Sequence, residues 1–98
     1  MIKRFVKLTF QLEKVPEFLA LFEATKDRIR SVPGCLHLEL LREAGREDVF
    51  FTCSYWESEA ALNAYRDSEL FKDTWSLTKA LFRDRAEAWS VEVVSEVR

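Results

Sequence analysis

The chain carries one histidine, His37, and proton transfer is the chemistry it suggests, because imidazole changes charge near neutral pH in its unperturbed form. As a general base it could take the proton of a bound hydroxyl. Groups suited to gripping a flat aromatic molecule lie further along: Trp56, Tyr65, Phe71 and Trp75 for stacking, and Thr52 and Ser54 for a hydrogen bond to a carbonyl or hydroxyl. Each has an ordinary structural explanation as well. A strand histidine is often simply hydrogen-bonded, a Trp closing a strand is often core, and Thr and Ser are common strand polarity.

Other chemistries are poorly served. Cys35, His37 and Cys53 could converge as an incomplete zinc-like set, but zinc asks for four ligands, or three and an open position, and no spacing here matches the usual motifs; no metal is expected. Two glycines in all exclude a phosphate-binding glycine loop, and no Ser-His-Asp set is present. Fifteen basic against 17 acidic residues give a net charge of −2 with no basic stripe, so nucleic acid is not an expected partner. The N-terminal MIKRFVKLTFQL lacks an uninterrupted apolar core and no segment approaches membrane-spanning length. A cytoplasmic location with two reduced thiols, and no membrane contact, is the expectation.

The elements that must position the candidates follow from periodicity. Ile2 to Leu12 alternates, with Ile2, Val6, Leu8, Phe10 and Leu12 on one side and Arg4 the exception to that side's apolar character. Pro16 suits a first helical turn, and Phe18, Leu21, Phe22, Thr25, Ile29 and Val32 follow at helical spacing until Pro33-Gly34 stops them. Cys35 to Arg42 reads as a strand with Cys35, His37, Glu39 and Leu41 on one face. The Glu43–Glu47 loop joins it to a strand over Val49–Trp56. Placing Arg42 opposite Asp48 would set His37 against Cys53 and Leu38 against Thr52. Ser58 and Ser68 open two helical segments, the second presenting Leu70, Phe71, Thr74, Trp75, Thr78, Leu81 and Phe82 on one face. Ala86 to Val94 alternates as a fourth strand.

At 98 residues there is room for one core, so residues 1–98 form a single domain. The order strand, helix, strand, strand, helix, strand is the ferredoxin-like split βαβ arrangement, an α+β fold with a four-stranded antiparallel sheet and helices on one face. Both candidate sheet faces carry large apolar groups, Phe50 and Trp56 on one, Val49, Phe51 and Tyr55 on the other. Eight Phe, three Trp and two Tyr are more bulk than one layer of helices needs, so a homodimer with two sheets face to face is expected.

PGCLHLELLRE followed by FFTCSYWESEAALNAYRDSELFK resembles the antibiotic biosynthesis monooxygenase (ABM) domain family of dimeric α+β barrel proteins. The matching positions are Pro33, Gly34, Trp56, Glu57, Ala61, Leu62, Ser68 and Phe71. The resemblance implies a homodimer with a pocket in each subunit between sheet and helices. In active relatives it implies oxygenation of aromatic polyketides or quinols with no metal or flavin cofactor. On that reading His37 deprotonates a phenol or hydroquinone among Trp56, Tyr65, Phe71 and Trp75, and the alternative is a dimeric module that binds a small apolar ligand without turnover. The chain departs from its polyketide-oxidising relatives at Thr52, where they carry Asn, and from quinol-type relatives at Ser54, where they carry Glu. Where haem-degrading members of the superfamily have an iron-ligating His, this chain has Trp75, which disfavours haem chemistry.

Overall fold

Two alternating strands set the frame of this computed structural model, which describes residues 1–98. β1 (Ile2–Thr9) pairs antiparallel with β3 (Val49–Trp56), Ile2 opposite Trp56 and Thr9 opposite Val49. β2 (Cys35–Arg42) and β4 (Glu87–Val91) complete an antiparallel sheet of order β2-β3-β1-β4. The expected ferredoxin-like α+β architecture is what forms.

Because side chains on a strand alternate, the β1–β3 register puts Arg4, Val6 and Leu8 on the same side as Phe50, Thr52, Ser54 and Trp56. Three helices cover that side: α1 (Val15–Arg30), α2 (Glu59–Arg66) and α3 (Glu69–Lys79). Pro16 sits in the first turn of α1, where its missing N–H breaks no helical bond. Ser58 Oγ accepts from the Ala61 N–H at 3.1 Å and Ser68 Oγ from the Phe71 N–H at 3.2 Å. Each hydroxyl thereby satisfies one orphan donor of a helix start.

The strand ends differ from the sequence expectation. β1 stops at Thr9, since Phe10 makes only a single bridge to Phe82 and Leu12–Lys14 forms a 3₁₀ turn. β4 stops at Val91, opposite Lys3, where β1 has almost run out of pairing partners.

The β2–β3 register differs too, and with consequence. Arg42 lies opposite Phe50, His37 opposite Tyr55 and Glu39 opposite Cys53, two residues away from the expected pairing. Asp48 cannot pair with Arg42 because it is engaged elsewhere. Its carbonyl accepts from the Phe10 N–H at 2.9 Å, and its buried carboxylate meets Arg83 Nη1 at 2.7 Å and Arg46 Nη2 at 3.2 Å. At the other end of β2 the register slips between Cys35 and His37, leaving Leu36 without a partner. That extra residue turns Cys35 into the helix-covered core beside Trp56 and Leu62, while His37 stays on the uncovered face. Cys35, His37 and Cys53 therefore do not converge as the expected register would have had them do.

Gly34 joins the two layers. Its φ of +88° belongs to the region glycine tolerates, and a Cβ there would run into the Ala61 Cβ on α2. Its carbonyl accepts from the Glu57 N–H at 2.8 Å. The Pro-Gly, Trp-Glu and Ala elements of the sequence pattern thus meet at one corner of the fold.

Candidate functional site

Residue size along the covered face creates a hollow. At one end Leu8, Phe10 and Phe50 pack with Val15, Phe18 and Leu81 into a buried cluster, and at the other Trp56 packs with Cys35 and Leu62. Between them the strands present Thr52 and Ser54 from β3, Arg4 and Val6 from β1, and Ala86 and Ala88 beside them, mostly small or polar groups that cannot fill the space under the helices. A cavity of about 310 Å³ results, a volume within the range of small-molecule sites.

All six residues read from sequence as ligand contacts, Thr52, Ser54, Trp56, Tyr65, Phe71 and Trp75, line this cavity. An aromatic wall runs along it. Trp56 stacks on Tyr65 with ring centroids 5.0 Å apart, Tyr65 meets Phe71 edge-on at 5.2 Å, and Phe71 lies parallel to Trp75 at 5.9 Å. The helical spacing of α3 explains the Phe71–Trp75 contact, since positions four apart share a face.

Polar atoms punctuate the wall. Trp56 Nε1–H donates to Ser54 Oγ at 2.9 Å, so the indole is satisfied and fixed, and the Ser54 hydroxyl proton is left to point elsewhere. Burial, aided by the nearby Cys35, pushes the Tyr65 phenol up to about 12, so this hydroxyl is a neutral donor at physiological pH. The Thr25 and Thr78 hydroxyls donate to the Leu21 and Thr74 carbonyls of their own helices and contribute little to recognition. The Cys35 thiol is likewise pushed up by burial, and is a poor nucleophile.

His37 is the one candidate that the structure separates from the rest. It alternates with Leu38, which lines the cavity, and so projects from the opposite face of the sheet. There it lies over Tyr55, ring centroids 4.6 Å apart, with Nε2 3.6 Å from Glu39 Oε1. A general base must reach the proton it removes directly or through one water, and a sheet stands between His37 and anything in the cavity. Alternation fixes which residues share a face without saying which face the helices cover, so the sequence alone did not show that His37 lies apart from the other candidates.

The two charged residues of the cavity were not singled out as ligand contacts. Arg4 and Arg66 both line the cavity. Arg4 had a signal, the lone cation on the apolar side of the first strand; Arg66, next to Tyr65 on α2, looked like any exposed helix residue.

The profile of the antibiotic biosynthesis monooxygenase family matches residues 1–75. The chain belongs to this family. The solved structures it is similar to include an ABM protein described as an antibiotic biosynthesis monooxygenase, at 22% identity and TM-score 0.90, covering 97% of this chain and 100% of that one. Others are a conserved protein of Methanosarcina mazei Go1, at 21% identity and TM-score 0.88, covering 92% and 89%, and a mutant of SnoaB, a cofactor-independent oxygenase from Streptomyces nogalater, at 18% identity and TM-score 0.87, covering 98% and 95%. At these identities the likeness is one of fold. No curated protein matches the chain by sequence.

Proposed function

We propose that this ABM-family chain is a cofactor-independent monooxygenase acting on a small aromatic or quinol-type molecule held in the cavity. The observation that carries the reading is the continuous aromatic wall from Trp56 through Tyr65 and Phe71 to Trp75, facing the hydroxyl-bearing strand positions Thr52 and Ser54. A planar ring stacks on the first, and its oxygen substituents meet the second. For a hydroquinone the stoichiometry closes without any other reductant: one atom of O₂ replaces a ring hydrogen, the other leaves as water, and the substrate, converted to a hydroxyquinone, supplies all four electrons. The reactive species is the substrate anion, its proton passing to water and not to His37.

The chain is proposed to act as a homodimer. The uncovered face of the sheet carries Phe5, Phe51, Tyr55 and Trp89, with Trp89 46% exposed, and a second copy would cover them. No helix is long and apolar enough to cross a membrane, and a cytoplasmic location is proposed with it.

One observation favours a second reading. No Asp, Glu or His lines the cavity, so the wall offers no conventional base, as suits a module that binds an apolar ligand without turnover. Oxygen uptake with a panel of hydroquinones and hydroxylated polycyclic phenols separates the two. Turnover that survives in His37→Ala and falls in Trp75→Ala supports the enzyme; binding without oxygen consumption across the panel supports the module.

A further inference from the structure

We propose that Arg4 and Arg66 make one end of the aromatic cavity an anion-binding site, so that its ligand is a planar aromatic molecule bearing a negatively charged oxygen, a carboxylate or an ionised enol or phenol. This ligand class presupposes that the cavity holds an aromatic molecule at all.

Four observations converge at that end. Arg4 and Arg66 are the two charged side chains that line the cavity, and neither forms an ion pair there. Glu59 and Glu92 share a smaller neighbouring hollow with Arg66, yet neither comes within ion-pairing distance of it. Arg4 is held rather than loose: Nη1 donates to Ser90 Oγ at 2.9 Å, on the adjoining strand, which leaves most of its five N–H donors uncommitted. Directly across β1–β3 from Arg4 is Ser54, whose oxygen is occupied by Trp56 Nε1 and whose proton is free to be donated.

Arg4, partly buried beside the apolar wall with Arg66 as a like-charged neighbour and no ion-paired carboxylate, is unfavourably placed in the empty protein. Burial and the neighbouring Arg66 both pull the Arg4 pKa down from its ordinary value, the signature of a positive charge short of solvent and of a counter-charge. An anionic oxygen relieves both deficits. It would accept charge-assisted bonds from the guanidiniums and a further bond from Ser54, while the attached rings lie along Tyr65, Phe71 and Trp75. The same field lowers the pKa of a bound enol or phenol, so the anion forms by losing its proton to water, with no protein base required.

The test is binding by quenching of tryptophan fluorescence at neutral pH, with two matched pairs of probes. 2-Naphthoate against 2-naphthamide varies a carboxylate; 2-hydroxy-1,4-naphthoquinone against its 2-methoxy ether varies an ionised enol. The folded protein is expected to bind at least one anion about tenfold or more tightly than its neutral partner, and whichever pair shows the preference names the oxygen function. Arg66→Gln and Arg4→Gln should each reduce that preference while affinity for the neutral probes, which also reports an intact fold, stays within about twofold. Added salt should shrink the preference in the unmodified protein, which keeps the test available if Arg4→Gln does not fold. Equal affinity within both pairs overturns the anion site and leaves the aromatic cavity standing. Failure of all four probes to bind overturns both.

Discussion

The two ends of the space beneath the helices are built from similar residues and closed to different degrees. At one end Leu8, Phe10, Val15, Phe18, Phe50 and Leu81 interlock, with Phe10 fully buried and its ring stacked on Phe18 at a centroid distance of 4.1 Å. At the other, Trp56 is as deeply buried, but it rests on Tyr65 and Leu62 with Arg4 and Ser54 nearby, and the cavity opens beside it. The first end contributes dense apolar contact and the second gives some of that up. A ligand site in so small a chain is therefore obtained by withholding bulk at a few strand positions while the rest of the same face stays packed.

Breaking the closed end should have the largest effect. Phe10→Ala is expected to cost about 3–5 kcal/mol in urea unfolding, since it opens a cavity among rings that cannot collapse. Trp75→Ala, half-buried at the edge of existing empty space, should cost much less stability, about 1 kcal/mol, and lose aromatic ligand binding instead. Equal destabilisation by the two would erase the contrast. Gly34→Ala comes next: forcing a side chain into a positive φ against Ala61 should destabilise by about 1–3 kcal/mol or more, and a neutral result would mean that the corner where β2 meets α2 is loose. Ser54→Ala should cost about 1–3 kcal/mol, because it strands the buried Trp56 N–H, and should weaken ligand binding as well.

A smaller effect is expected on acidification. For Asp48, burial favours the neutral acid, but its own backbone N–H together with Arg46 and Arg83 outweighs it and holds the carboxyl below its ordinary range. A folded-state pKa below the unfolded one means that this stability is present above about pH 3.9 and is lost as pH falls through the lowered value. Asp48→Asn should flatten that part of the pH–stability curve measured by thermal unfolding. Smallest at the cavity itself, His37→Ala should leave ligand affinity unchanged and alter only the association state; a large loss of binding would restore His37 to the site.

Much of this was legible in the chain. The alternation of β1 and β3 assigns Leu8, Phe10, Phe50 and Trp56 to one face, and the three-and-four spacing of α3 brings Phe71, Thr74, Trp75 and Thr78 to the cavity, because both patterns reflect local backbone geometry. The serine caps at Ser58 and Ser68 are equally local. The β2 register was not legible, since it depends on Asp48 being drawn to Arg83, 35 residues away, and on the unpaired Leu36 after the Gly34 turn. Nothing near His37 in sequence records either contact.

Element order and the identity of the aromatic wall are thus properties of the sequence, fixed by dihedral preferences and by periods of two and 3.6. Tertiary packing alone decided that three helices cover the even-numbered side of β1, that His37 falls on the other, and that Arg4 and Arg66 line the same cavity. Those outcomes depend on long-range contacts whose energies no short window of residues contains.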